Sequence, residues 1–127
     1  MKKSFVFVLF LAPVIGLLSF DLAAITRAIN DGDADALGQY FGPKVEISIA
    51  DDGNEYSKPA AIEAVRKFFG KNRPLSFVQV HQGTSKGSAA HYCIGNMETK
   101  DATFRVYIYL EKVAEDFKIK ELRFDKE

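Results

Sequence analysis

Residues 75–125 alternate apolar and polar side chains almost without a break, and that pattern constrains the fold more than any other feature of the chain. The runs 75–85, 88–99, 103–113 and 116–125 are each of strand length, and Lys86-Gly87, Lys100-Asp101 and Ala114-Glu115 join them. Strands joined this tightly pair antiparallel, because a parallel return needs a crossover of a dozen or more residues. A four-stranded meander has to bury one face, so helices elsewhere in the chain must cover it.

If each turn is a two-residue hairpin, the register follows by counting. One face then collects Val78, Val80, His91, Cys93, Gly95, Met97, Phe104, Val106, Ile108, Leu110, Phe117 and Ile119. The other collects Phe77, Gln79, His81, Tyr92, Ile94, Asn96, Arg105, Tyr107, Tyr109 and Glu111. The first is the core face. In the last run the apolar phase shifts from odd positions (Phe117, Ile119) to even ones (Leu122, Phe124), which predicts a bulge near Lys120-Glu121 that curls the sheet. A one-residue slip at any turn would exchange every face beyond it.

The first half of the chain supplies the cover. Leu22, Ile25 and Ile29 repeat at helical spacing, and Leu37, Tyr40 and Phe41 form a second short helical stripe that Gly42-Pro43 terminates. "KVEISIA" reads as a half-buried strand with Val45, Ile47 and Ile49 on one side. After the turn-rich "DDGNEYS", Ser57 is placed to cap a helix with Pro59 in its first turn. That helix turns Ala61, Ile62, Val65, Phe68 and Phe69 inward and stops at Gly70 or Asn72.

At the N-terminus, Lys2 and Lys3 precede an apolar run from Phe5 to Phe20, 16 residues long. This is the pattern of a secretory leader over residues 1–20, and it is shorter than the ~20 residues that span a bilayer as a helix. Leu17 and Ser19 fit the small-residue cleavage rule loosely, so a retained N-terminal anchor is the alternative. The expected address is the periplasm or cell envelope of a bacterium, with residues 21–127 as one domain. Removing Lys2 and Lys3 from the 17 basic side chains leaves 15 against 17 acidic ones, a net charge of −2. Such a balance does not attract nucleic acid. Cys93 is the only cysteine, so no intrachain disulfide staples the domain.

The stretch "AITRAINDGDADALGQYF", followed by a strand, a third helix and a curled meander, resembles the nuclear-transport-factor-2-like (cystatin-like, SnoaL-like) superfamily. "VHQGTSKG", "YCIG" and "FRVYIYLEK…FKIKELRF" are similar, more narrowly, to a family of small exported bacterial proteins of unknown function with that fold. The resemblance covers roughly residues 22–125. It implies an α+β cone, a curled antiparallel sheet packed on three helices, and it implies no activity, since the superfamily hosts isomerases, dehydratases, transport factors and non-catalytic binding modules.

"NDGDADAL" (30–37) spaces Asp31, Asp33 and Asp35 like the first ligands of a calcium loop. Counting from Asp31, however, position 6 is Ala36 and position 12 is Gly42, where such a loop needs glycine and glutamate. The segment reads better as a helix stop at Gly32 and a helix start at Asp33. No metal and no cofactor is expected. The predicted cone is lined by Tyr40, Phe41, Phe69, His91, Cys93, Met97, Val106 and Ile108. An isomerase or dehydratase would need a carboxylate or histidine–carboxylate pair there. Only His91, with Tyr40 or Tyr56, offers such chemistry, so a catalytic role is the alternative reading.

The opposite face is unusual for a solvated sheet. Its expected rows are His81–Tyr92–Tyr109, Gln79–Ile94–Tyr107 and Phe77–Asn96–Arg105, rich in the residue types of interface hot spots. The expectation is therefore a non-catalytic binding module. It would take a small apolar ligand in the cone, or a homodimer or envelope partner on Phe77, Gln79, His81, Tyr92, Arg105, Tyr107 and Tyr109. A structural envelope subunit is a further alternative.

Overall fold

In a computed structural model, residues 22–85, 87 and 89–127 are described; the leader read at 1–20 lies outside them. Helix α1 (Leu22–Asp31) ends in a Schellman arrangement. The Gly32 N–H donates to the Ile29 carbonyl at 3.0 Å and the Asp33 N–H to the Ala28 carbonyl at 2.9 Å. Gly32 takes φ +66°, a region that costs a Cβ-bearing residue strain. Asp33 then caps α2 (Ala34–Gly38), its Oδ1 accepting from the Ala36 N–H at 3.0 Å. Asp35 pairs with Arg66 of the third helix. The aspartates of "NDGDADAL" thus stop one helix, start another and tie the second to the third.

The second helix is shorter than its sequence pattern. It stops at Gly38, Tyr40 lies in the turn, and Phe41 opens strand β1 (Phe41–Ile49). Gly42-Pro43 therefore sits inside a strand. Proline is tolerated there because β1 pairs with its neighbours at Phe41 and again from Glu46 on one side, and only from Lys44 on the other. Strand β2 (Asp52–Ser57) occupies the segment read as turn-rich, in which no strand was expected. It is an edge strand exposed almost throughout, so it has no apolar alternation to reveal it. The hairpin turn is Ala50-Asp51, both at positive φ (51° and 69°), the combination whose twist matches paired strands.

Helix α3 (Lys58–Lys71) buries Ala61, Val65, Phe68 and Phe69, with Ile62 half-buried. Pro59 lies in its first turn as expected, while Ser57 occupies the cap position without a side-chain cap bond. At the other end the Asn72 N–H donates to the Phe68 carbonyl at 2.8 Å.

The remaining strands are β3 (Ser76–Thr84), β4 (Ala90–Glu98), β5 (Thr103–Val113) and β6 (Asp116–Lys126). They complete a curved, unclosed six-stranded sheet in the order β2-β1-β6-β5-β4-β3, with β1 and β6 parallel. The turns at Lys100-Asp101 and Ala114-Glu115 hold the expected register, with Glu98 opposite Thr103 and Val113 opposite Asp116. The bulge expected near Lys120-Glu121 is present: Leu110 faces Ile119 whereas Tyr109 faces Glu121. Leu122 and Phe124 consequently join Ile119 in the core, all at 0% exposure.

Strand β3 departs from expectation. Ser85 pairs with Ala90, so the β3–β4 loop is longer than two residues, and a second bulge leaves Val80 without an opposite residue. Beyond it the faces exchange. Phe77 sits opposite Met97 and is buried, whereas Val78 and Val80 point into solvent at 58% and 53% exposure.

Between sheet and helices the Phe68 ring meets Phe124 at 4.3 Å and Phe104 at 5.2 Å, centroid to centroid. Fully burying each such ring contributes roughly 1.5–3 kcal/mol.

Candidate functional site

Most of the side chains expected to line a cone are packed into the core. Phe41, Phe69, Cys93, Met97, Val106 and Ile108 are all exposed by 5% or less. Burial pushes the Cys93 thiol up to about 11, so at neutral pH it is a packed apolar group rather than a nucleophile. His91 is half-buried at the start of β4. Its Nδ1 lies 3.0 Å from the Thr84 hydroxyl, and its ring meets Phe117 edge-on at 4.5 Å. Loss of hydration holds its imidazole below the ordinary histidine value.

The two tyrosines proposed alongside it stand elsewhere. Tyr56 is on β2, and β1, β6 and β5 intervene between that strand and β4, about 19 Å along the sheet at four strand spacings. Tyr40 lines a groove of about 270 Å³ between α1 and α2, with Arg27, Asp31, Asp33 and Gln39. His91, Tyr40 and Tyr56 are not brought together. Among the described residues, no three histidine, cysteine or acidic side chains cluster to hold a metal ion.

The opposite face of the sheet gathers more. With the β3 bulge included, its rows read Gly83–Tyr92–Tyr109–Glu121, His81–Ile94–Tyr107–Arg123 and Val78–Asn96–Arg105–Asp125. Two of the expected members change. Phe77 leaves this face for the core, and Gln79 falls opposite Gly95, a core-face position, because the bulge shifts their register by one. His81 stays on the face one row from its expected place, and its Nε2 still reaches the Tyr92 hydroxyl at 2.8 Å. The Tyr92 ring lies over Gly83 and stacks with Tyr107 at 6.3 Å.

A groove of about 380 Å³ crosses this face, bounded by Ile94, Arg105, Tyr107, Glu121, Arg123 and Asp125. Arg105 Nε bonds Glu127 at 3.2 Å, and Arg123 Nη2 stands 3.7 Å from Asp125. Among the described residues, three shielded atoms here have no protein hydrogen-bond partner: Asn96 Oδ1, Arg123 Nε and Asp125 Oδ1. Burial, then the Glu121 carboxylate, raises the Tyr107 phenol above its usual value. Tyr109 is raised first by its 3.0 Å hydrogen bond to Glu111.

Glu121, Arg123 and Asp125 went unrecognised as members of this face in the sequence reading, although the phase shift at Lys120-Glu121 carries the necessary signal. Val78 and Val80 had no such signal, since 77, 78 and 80 are all apolar.

Comparison with known proteins agrees with this architecture. Residues 22–125 match a domain of unknown function, DUF4783. A DUF4783 protein from Bacteroides ovatus is 30% identical, with a TM-score of 0.79 over 83% of this chain and 94% of its own. A second from Bacteroides uniformis is 28% identical, with a TM-score of 0.79 over 83% and 95%. A nuclear-transport-factor-2-like protein of unknown function from Silicibacter pomeroyi, 12% identical with a TM-score of 0.59 over 93% and 96%, shares the fold alone. No functionally curated protein matches.

Proposed function

The chain belongs to the DUF4783 family, a domain of unknown function on a nuclear-transport-factor-2-like fold, and from that premise we propose that it is an exported, non-catalytic binding module that takes a protein partner on its outer sheet face. The leader-like run at 1–20 supports export. Among the described residues, no helix is long and apolar enough to cross a membrane.

One observation carries the reading. Six of the eight side chains expected to line a ligand-holding cone are packed into the core, whereas the outer face presents Ile94, Arg105, Tyr107 and Arg123 around an open groove, with Tyr92 stacked on Tyr107 beside it. Aromatic and arginine side chains at the centre of a patch supply most of the affinity in protein–protein contacts. Basic and acidic groups alternate across the groove, which suits a partner surface carrying both signs rather than a polyanion.

The test is a photo-crosslinking phenylalanine analogue placed at position 107 in cells, with position 67 on the exposed side of α3 as control. A discrete adduct specific to 107 is expected. The partner it identifies, once purified, should bind the parent protein and lose more than about tenfold in affinity with Tyr107→Ala. Equal labelling at both positions would remove the support for this face. A second copy of the chain as the adduct would make the partner itself.

A further inference from the structure

Three of the four large apolar side chains exposed among the described residues lie on β3 or immediately before it: Leu75 at 65%, Val78 at 58% and Val80 at 53%. Among the described residues that strand is one end of the sheet, and one row of its backbone groups has no neighbouring strand. The two ends differ in their protection. Strand β2 carries Asp52 and Glu55 and is only six residues long. Short length and charge are the usual guards against edge pairing. Strand β3 reads "SFVQVHQGT", nine residues without Lys, Arg, Asp, Glu or Pro.

Backbone geometry shows which part of the edge is open. The Phe77 N–H is taken by Asn30 Oδ1 at 3.0 Å, so α1 closes the start of the strand. The Ser85 N–H bonds the Ala90 carbonyl at 2.9 Å. Alternation along an antiparallel pair then turns Gly83 and His81 toward β4, and the backbone groups of Gln82 and Thr84 away from it. The bulge at Val80 marks the other limit of the regular stretch.

We infer that β3 is a strand-addition edge whose occupant is β3 of a second copy of this chain, paired antiparallel about Gln82 so that the two sheets become continuous. This inference is independent of the outer-face reading. On a two-fold axis through Gln82 only that residue faces its own copy, and β3 carries no Lys, Arg, Asp or Glu that would have to be brought against the second strand. Centring on Gln82 sets its backbone to exchange both hydrogen bonds with the second copy's Gln82, and their amide side chains are mutually complementary donors and acceptors. Val80 then faces the second copy's Thr84, a pair of β-branched residues of the kind that stabilises cross-strand contacts. So short an addition falls below the area of a standard stable interface, so the association is weak and concentration-dependent.

The experiment measures amide exchange and sedimentation of the purified protein at two concentrations a hundredfold apart. The inference expects the mass to move from one copy toward two. It also expects the Gln82 and Thr84 amides to slow by roughly tenfold or more at the higher concentration. Val80→Lys, at an exposed site, should abolish both effects without altering the circular dichroism. Tyr107→Ala should leave both intact. Unchanged exchange at Gln82 and Thr84 across the range would overturn the inference. So would a doubled mass that survives Val80→Lys and disappears with Tyr107→Ala.

Discussion

The bulge at Val80 decides which residues of β3 face the core, and two glycines test it. A Cβ built on Gly95 would lie 2.4 Å from Phe77 Cζ and 2.7 Å from the Val78 carbonyl oxygen. Phe77 is buried and the Val78 carbonyl is backbone, so neither yields readily. Overpacking of this kind costs about 1–3 kcal/mol, against roughly 0.4–1 kcal/mol recovered from the stiffer unfolded chain. Because the backbone contact adds to the ring clash, Gly95→Ala is expected near the upper end, a net loss of about 2 kcal/mol.

Gly83 provides the control. Its added Cβ would meet the Tyr92 ring at 2.4 Å, but only side-chain atoms crowd it and that ring is half-exposed. Swinging Tyr92 outward loses its bond to His81, worth about 0.5–1.5 kcal/mol, which the same entropic gain largely offsets. Gly83→Ala should therefore cost well under 1 kcal/mol, to within about half a kcal/mol of neutral.

Urea unfolding at constant m-value measures both. At roughly 4–8 °C per kcal/mol for a domain of this size, Gly95→Ala should lower Tm by about 8–16 °C and Gly83→Ala by no more than about 4 °C. In a Phe77→Ala background the Gly95→Ala cost should fall sharply, a coupling that only contact between the two explains. Equal costs for the two glycines, or additivity with Phe77→Ala, would mean that Phe77 does not lie on Gly95 and that the bulge is misplaced.

Three further outcomes are expected. His91 resists protonation in the fold, so as pH falls below 6.5 the unfolded chain takes up its proton first and stability declines toward the depressed native value; His91→Gln should flatten that decline, and an identical pH slope for the variant would exclude His91 as its source. Cys93 keeps its proton up to about 11 when folded, so its contribution is lost as pH rises from 9.0 through that range, and a thiol reagent at neutral pH should react at the rate of unfolding, not instantly. Calcium should leave the melting temperature unchanged, whereas Asp33→Ala should cost about 1 kcal/mol through the lost helix cap; a saturable calcium-dependent rise would restore "NDGDADAL" as a metal site.

Where a local signal existed, the sequence was legible. Gly32 and Asp33 announce a helix stop and start because only a few residue types suit those backbone geometries. The Lys100-Asp101 and Ala114-Glu115 turns set the β4–β5 and β5–β6 register because two-residue hairpins leave no freedom. The shift of apolar phase from Ile119 to Leu122 exposed the first bulge, and with it the curvature. Strand β2 was hidden because an exposed edge imposes no alternation on Asp52–Ser57. The end of α2 was misread because Tyr40 and Phe41 continue its helical spacing although Phe41 is already paired in β1.

By itself, then, the sequence determined the α+β class, a four-stranded meander with most of its turns, and a tyrosine- and arginine-bearing face opposite the core. Local propensity and period carry that information, and they act over a few residues. The tertiary structure alone decided the parallel β1–β6 pairing, the fate of Phe77, and the separation of His91 from Tyr40 and Tyr56. Each of these depends on contacts between residues far apart in the chain. At β3, three apolar residues at 77, 78 and 80 were compatible with either face, and the aromatic-over-glycine contact with Gly95 selected Phe77 for the core.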